Sequence, residues 1–340
     1  MRSLRALRAL VLALGLLAAG PGCGGDEEAA APQPSTASNR FTNPVYEEDF
    51  PDPFVLRVDG TYYAYGTNGD GMNVRTLRSP DLVRWKAGKD ALPELGSWAF
   101  TGRTWAPEVL RRGDGNFVLY YTALSSRLSA QCIGAALASS PGGPFVDRAK
   151  HPLVCQKGEG GSIDASPFRD GDGTPYLLWK NDGNCCGLDT FIYAQKLSAN
   201  GLKLLGRRTR LVKQDAKWEG QLVEAPTLWR RGGRYYLFFS ANAFDSALYA
   251  VGYARCKGPL GPCTDAPGNP ILDAACEAAG PGHQTIVRDD DGETWMVYHA
   301  WPPHAVGSVF PGRVLWMDRL EWRNGTPVVR GPTCRPQPVP

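Results

Sequence analysis

What this sequence lacks first is charge. The 340-residue chain carries a formal +3, but Arg2, Arg5 and Arg8 account for all of it: residues 1–22 hold no acid, and the remainder is neutral. A neutral chain gives no electrostatic footing to nucleic acid or to an anionic membrane surface. Long apolar runs are missing too, and the stretch Ala9–Ala19 is too short to span a bilayer comfortably. Beyond it, no segment keeps the 3.6-residue apolar period of an amphipathic helix. Nine cysteines are present, yet without the paired C-x-x-C knuckles of a zinc site. With 43% hydrophobic and 21% charged residues, there is ample material for a soluble core.

The N-terminus reads as a processing signal. Three arginines precede the apolar stretch, and Gly20-Pro21-Gly22 then leads into Cys23. The pattern resembles a bacterial lipoprotein signal, in which the cysteine is lipidated and becomes the new N-terminus. The expected organisation is a signal peptide over 1–22, a flexible Gly/Ala/Pro/Ser-rich tether over 23–40, and one domain over 41–340. Such a protein is exported, either secreted or held as a periplasmic or cell-surface lipoprotein through Cys23. Eight further cysteines, an even number in an oxidising compartment, point to disulfides. On the order of a hundred pairings are open. Cys256 and Cys263 bracket a Gly-Pro turn and suit a local bridge, and the adjacent Cys185 and Cys186 suit a vicinal one.

One unit recurs five times: a short β-type segment with Pro, a Gly-containing turn, then an aromatic-rich strand. Its anchors are Pro53, Pro107, Pro167, Pro226 and Thr285, separated by 54, 60, 59 and 59 residues. Each copy reads as a hairpin, and each interval fits one four-stranded propeller blade. The fold predicted is all-β, a single five-bladed β-propeller. A β-sandwich does not repeat one motif at this period. The repeated tyrosines, such as Tyr62, Tyr65, Tyr120 and Tyr236, sit where blades pack on one another and are read as inter-blade contacts rather than sugar platforms.

In a propeller the first residues of the innermost strands meet at one mouth of the channel. Just before the anchors stand Asp52, Trp105, Asp164, Glu224 and His283. A structural propeller has no reason to gather three acids where they repel and lose solvation. Glycoside cleavage does have one, since it needs a carboxylic acid for the leaving oxygen and a carboxylate on the opposite face. Bland readings exist for each residue: Asp52 as a turn starter before proline, Glu224 as a structurally paired acid, His283 as a hydrogen-bonded core residue. The register shared by three acids outweighs them. Glu108, one residue past its anchor, is expected to point away from the cleavage point.

These residues carry a family resemblance. Asn43-Pro44 and Asp49-Phe50-Pro51-Asp52-Pro53, Trp105-Ala106-Pro107-Glu108, Asp164-Ala165-Ser166-Pro167, Val223-Glu224-Ala225-Pro226, Gly282-His283 and Gly312-Arg313 together resemble glycoside hydrolase family 43, over roughly 41–330. The resemblance implies an inverting enzyme with Asp52 as general base and Glu224 as general acid. Asp164 would tune the acid and hold the sugar. It further implies Trp105, Arg313 and Phe54 at the substrate and His283 near an axial Ca2+. Expected substrates are arabinose- or xylose-containing polysaccharides, cut by an exo-acting α-L-arabinofuranosidase or β-xylosidase that acts as a monomer. An endo-1,5-α-L-arabinanase and a non-catalytic carbohydrate-binding propeller stand as alternatives. A retaining fructan hydrolase would carry a Trp-Met-Asn-Asp-Pro-Asn-Gly opening and an Arg-Asp-Pro triplet, and neither is present.

Overall fold

The computed structural model describes residues 39–340. The signal peptide, Cys23 and the tether as far as residue 38 lie outside them. The described residues contain strands and short 3-10 turns but no α-helix. A two-residue strand β1 (Arg40–Phe41) precedes five antiparallel sheets. Blade I holds β2 (Phe54–Val58), β3 (Thr61–Gly66), β4 (Arg75–Ser79) and β5 (Lys86–Ala87). Blade II holds β6 (Trp105–Arg111), β7 (Phe117–Leu124) and β8 (Gln131–Ala138). Blade III holds β9 (Ser162–Arg169), β10 (Pro175–Asn181), β11 (Phe191–Leu197) and β12 (Leu204–Lys213). Blade IV holds β13 (Val223–Arg231), β14 (Arg234–Ala241), β15 (Ala250–Cys256) and β16 (Cys263–Asp265). Blade V holds β17 (Ala279–Arg288), β18 (Thr294–Trp301), β19 (Val314–Arg323) and β20 (Thr326–Val329). Strands follow one another in each sheet in sequence order, as in a propeller.

Blade II departs from the expected four strands. Its outer position is taken by an irregular segment in which Pro141-Gly142-Gly143-Pro144 and Pro152 interrupt any ladder. That segment touches β8 through single bridges, Leu137 to Val146 and Ile133 to Val154.

The aromatic-rich strands of the repeat are buried on both faces. In β14, Leu237 and Phe239 pack towards blade III while Phe238 packs towards blade V. In β7, Leu119 and Tyr121 face blade I, and Val118 and Tyr120 face blade III. Period-2 alternation therefore sorts side chains between two neighbouring cores, and the apolar residues fall into five clusters, one per blade junction. The tyrosines belong to these clusters, as expected. All eight cysteines pair, as Cys132–Cys155, Cys185–Cys186, Cys256–Cys263 and Cys276–Cys334.

The ring closes between blades V and I. There β1 pairs with β21 (Gln337–Pro338), and the segment after β1 runs along β19. Asn43 fastens it: its Nδ2 donates to the Met317 carbonyl and its Oδ1 accepts from the Met317 amide, each at 2.9 Å. Met317 is fully buried, so no water replaces a lost partner. Asn43→Ala should lower unfolding free energy by about 1–3 kcal/mol, the cost of stranding the Met317 amide, while the carbonyl keeps Gln337 Nε2 at 3.2 Å. Urea unfolding measures it, and a loss below about 0.5 kcal/mol would show that closure rests elsewhere.

Candidate active site

Every blade carries the same irregularity where its innermost strand begins, in blade I just ahead of β2, where the Thr67 amide bonds the Pro51 carbonyl and Phe54 opposes Tyr65. Trp105 opposes Thr122 and Glu108 opposes Tyr120, so three steps on β6 match two on β7. The same extra residue appears in β9, β13 and β17. The residue at each bulge is left-handed: Asp52 (φ 56°), Ala106 (φ 44°), Asp164 (φ 55°), Ala225 (φ 52°) and His283 (φ 49°). Asp164 stands three residues before Pro167 in sequence, yet it occupies the bulge position itself, equivalent to Asp52 and His283, whereas Glu224 and Trp105 stand one residue earlier. In blade III the structural counterpart of the other prolines is Ala165, not Pro167.

The bulge turns side chains from five blades into one cavity of about 360 Å3 at the channel mouth. Asp52, Trp105, Asp164, Glu224, His283 and Arg313 all line it. Phe54 does not, which corrects its expected place at the substrate. Strand alternation sends Phe54 to a separate hollow at the far side of the inner strands, beside Glu108 and Ser166, and its ring lies 6.2 Å from that of Tyr65. Glu108 points away, as anticipated.

The acids are in different electrical states. Arg313 Nη1 lies 2.8 Å from Asp52 Oδ1, His283 Nδ1 is 3.3 Å from the same oxygen, and the Thr67 hydroxyl donates to Oδ2. Burial works against the charge on Asp52, but Arg313, then His283, outweigh it and hold this carboxyl well below the ordinary range. Asp164 goes the other way. Burial pushes it up to about 6, with Glu224 reinforcing the rise and His283 opposing it. Its Oδ2 also accepts the Ala225 amide at 3.0 Å, tying it to the strand that carries Glu224. His299 is fully buried, and burial, then Arg313, drive its pKa well down. Its Nδ1 accepts the Asp52 amide at 3.1 Å, so it is a neutral hydrogen-bonding partner rather than an ion-pair partner.

The family model "Glycosyl hydrolases family 43" matches residues 41–327. The chain belongs to that family. A solved thermostable family-43 glycoside hydrolase is 33% identical, covers 88% of this chain and 99% of its own, and superposes with a TM-score of 0.79. Among curated proteins, a β-D-galactofuranosidase of Aspergillus niger is 24% identical over 78% of each chain. An extracellular endo-α-(1→5)-L-arabinanase of Bacillus subtilis is 26% identical over 81% of this chain and 86% of its own.

This glycoside hydrolase also uses residues that sequence reasoning passed over. Lys180 is wholly buried, and its ammonium lies 2.9 Å from Glu224 Oε2. The Tyr249 hydroxyl donates to Glu224 Oε1 at 2.7 Å. Tyr249 reaches it across Gly282, where a Cβ would fall 2.1 Å from the tyrosine ring. Asp182 adds a fourth carboxyl to the cavity, raised to about 6 by burial. Burial opposes the charge of Lys180, yet Glu224 and then Asp164 more than offset it and keep its pKa above the usual value. The signal in sequence was slight: one lysine closing the apolar run Tyr176-Leu177-Leu178-Trp179. Arg313, by contrast, is positioned by recognisable residues. Its amide donates to Asp49 Oδ1 at 2.8 Å, and at Gly312 a Cβ would fall 2.1 Å from that oxygen.

The donors around His283 do not fit a directly held calcium ion. Calcium takes six to eight oxygens, whereas here one imidazole faces a carboxylate already engaged by Arg313 and Thr67. No step is therefore assigned to a metal at His283.

Removing Lys180 leaves Glu224 buried without its counter-charge. Lys180→Met should cost about 3–5 kcal/mol at neutral pH. Urea unfolding at pH 7.5 tests this, and an unchanged stability would refute the pairing.

Proposed function

We propose that this chain is an inverting, exo-acting glycoside hydrolase that releases arabinofuranose or xylose from arabinose- or xylose-containing polysaccharides. The observation that carries the reading is the division of labour within one cavity. One carboxylate, Asp52, is held ionised, while Asp164 beside Glu224 keeps a proton to about pH 6. Opposed states of this kind are what paired base and acid chemistry requires.

In the proposed reaction a water between Asp52 and the sugar gives its proton to Asp52 as its oxygen bonds to the anomeric carbon. The glycosidic C–O bond breaks on the opposite face, and Glu224 passes to the departing oxygen the proton that Asp164 holds, which leaves Asp164 ionised. Arg313 serves two ends: it fixes Asp52 and presents donors to sugar hydroxyls. Trp105 and Phe244 give the sugar apolar walls.

Exo action is supported by the size of the cavity, at the low end for ligand sites. Loops narrow it: Phe244 from the β14–β15 connection and the Cys185–Cys186 turn after β10 both stand at its edge. The names of relatives, among them a β-xylosidase of Bacillus subtilis and a non-reducing end α-L-arabinofuranosidase of Bacteroides ovatus, support the sugar class. The N-terminal signal supports an exported enzyme tethered through a lipid on Cys23.

The purified protein should release free arabinose or xylose from arabinan or arabinoxylan and from the matching p-nitrophenyl glycosides. Asp52→Ala should abolish turnover on all of them. Glu224→Ala should lose about 10²–10⁴-fold on polysaccharide and far less on p-nitrophenyl glycosides, whose leaving group needs no proton. Shortening of arabinan without free pentose would replace the exo reading with an endo one. Binding without cleavage would replace it with a carbohydrate-binding propeller.

The pH dependence has a definite sign. Asp164 loses its proton as pH rises through about 6, which takes from the acid pair the proton the leaving group needs. Asp52 stays ionised far below the ordinary carboxylate range, so it sets no acidic limb near neutrality. Accordingly kcat/KM should decline as pH rises above about 6, and a rate that climbs steadily from pH 5 to pH 8 would contradict the assignment.

A further inference from the structure

Away from the cavity, on the rim where blades III and IV meet, three acids converge. Asp215 and Glu219 belong to the connection from β12 to β13, and Asp265 ends β16. One carboxylate oxygen from each lies within 4.8 Å of the other two. Glu219 is fully buried; its Oε2 accepts the amides of Asp215 and Ala216 at 2.8 and 2.9 Å, but its Oε1 has no partner. Asp265 Oδ1 is likewise buried and unpartnered. Among the described residues no lysine, arginine or histidine pairs with any of the three. Two carboxylates that each keep a buried, orphaned oxygen, gathered with a third acid, cost folding free energy unless something positive joins them.

We infer that Asp215, Glu219 and Asp265 form a calcium site. An all-oxygen, triply acidic donor set suits a hard cation, and the exposed Asp215 leaves one side open for waters to complete the six to eight ligands calcium takes. Magnesium, which demands near-ideal octahedral geometry, fits loop-borne carboxylates less well.

The ion would join the outermost strand of blade IV to the connector that leads into β13. That connector is already held by its 3-10 turn (Lys217–Glu219). The Trp218 ring lies 5.6 Å from that of Phe239, and the Trp218 carbonyl accepts Asn242 Nδ2 at 2.7 Å. Glu224 follows five residues after Glu219. Calcium here steadies the strand that carries the candidate acid and takes no part in bond cleavage.

The test is thermal unfolding of the purified chain, stripped with EDTA and dialysed, then titrated with CaCl2 or MgCl2. Calcium at about a hundredfold excess over its Kd should raise the midpoint by about 3–6 °C. Glu219→Gln and Asp265→Asn should lose that response, and Asp265→Asn should also raise the midpoint of the metal-free protein by removing a buried like charge. Tb3+ bound in place of calcium should luminesce on tryptophan excitation, with Trp218 nearby, and Asp265→Asn should extinguish the signal. No calcium shift, a shift undiminished in both variants, or an equal response to magnesium would overturn the assignment.

Discussion

The site depends on one hydrogen bond repeated around the axis. At the same register, on the second strand of each blade or directly after it in blade I, stands a residue that faces the next blade: Thr67, Thr122, Lys180, Ser240 and His299. Four of them accept the amide of the next left-handed bulge residue, with Thr67 taking Ala106 at 2.9 Å and Thr122 taking Asp164 at 3.3 Å. Ser240 takes His283 at 2.9 Å and His299 takes Asp52 at 3.1 Å, which closes the circle from blade V to blade I. The extra residue would otherwise strand an amide in a buried ring, and these partners answer it.

The exception lies where the chemistry is. In blade III the slot holds lysine, which cannot accept a hydrogen bond. Asp164 takes over by accepting the Ala225 amide, and Lys180 is released to neutralise Glu224. One substitution in a structural ring thus brings a cation to the candidate acid and commits a neighbouring carboxyl to backbone support. Left-handed residues other than glycine cost about 1–3 kcal/mol each, and buried charge costs more. Five apolar junctions and the ring of amide hydrogen bonds supply the rigidity that sustains both.

Much of this was legible in the sequence, because a propeller writes itself as a period. The spacing of the prolines marked five blades, the aromatic strands marked inter-blade cores, and the acids before Pro53, Pro167 and Pro226 marked the mouth. Two disulfides were legible from adjacency and from a Gly-Pro turn. What escaped was register. Proline marks a strand start loosely, so Pro167 was aligned with prolines that match Ala165 in space. Phe54 was misplaced because its side of the strand depends on the bulge before it. Lys180, Tyr249 and His299 carry no motif; their hydrogen-bond partners at the site lie 25 to 247 residues away, a relation that local sequence does not encode, and Asp182 enters the cavity only through that same fold.

The central claim is that Asp52 activates water rather than attacking the sugar. Arg313, His283 and Thr67 hold its carboxylate in place, and attack by water on the face opposite the leaving group inverts the anomeric centre. Proton NMR of the anomeric signals during the first minutes of hydrolysis, before mutarotation, reads this directly. The account predicts that the first sugar released from an α-L-arabinofuranoside is the β-anomer, or from a β-D-xyloside the α-anomer. First appearance of the retained anomer would mean a covalent intermediate and would contradict the role given to Asp52.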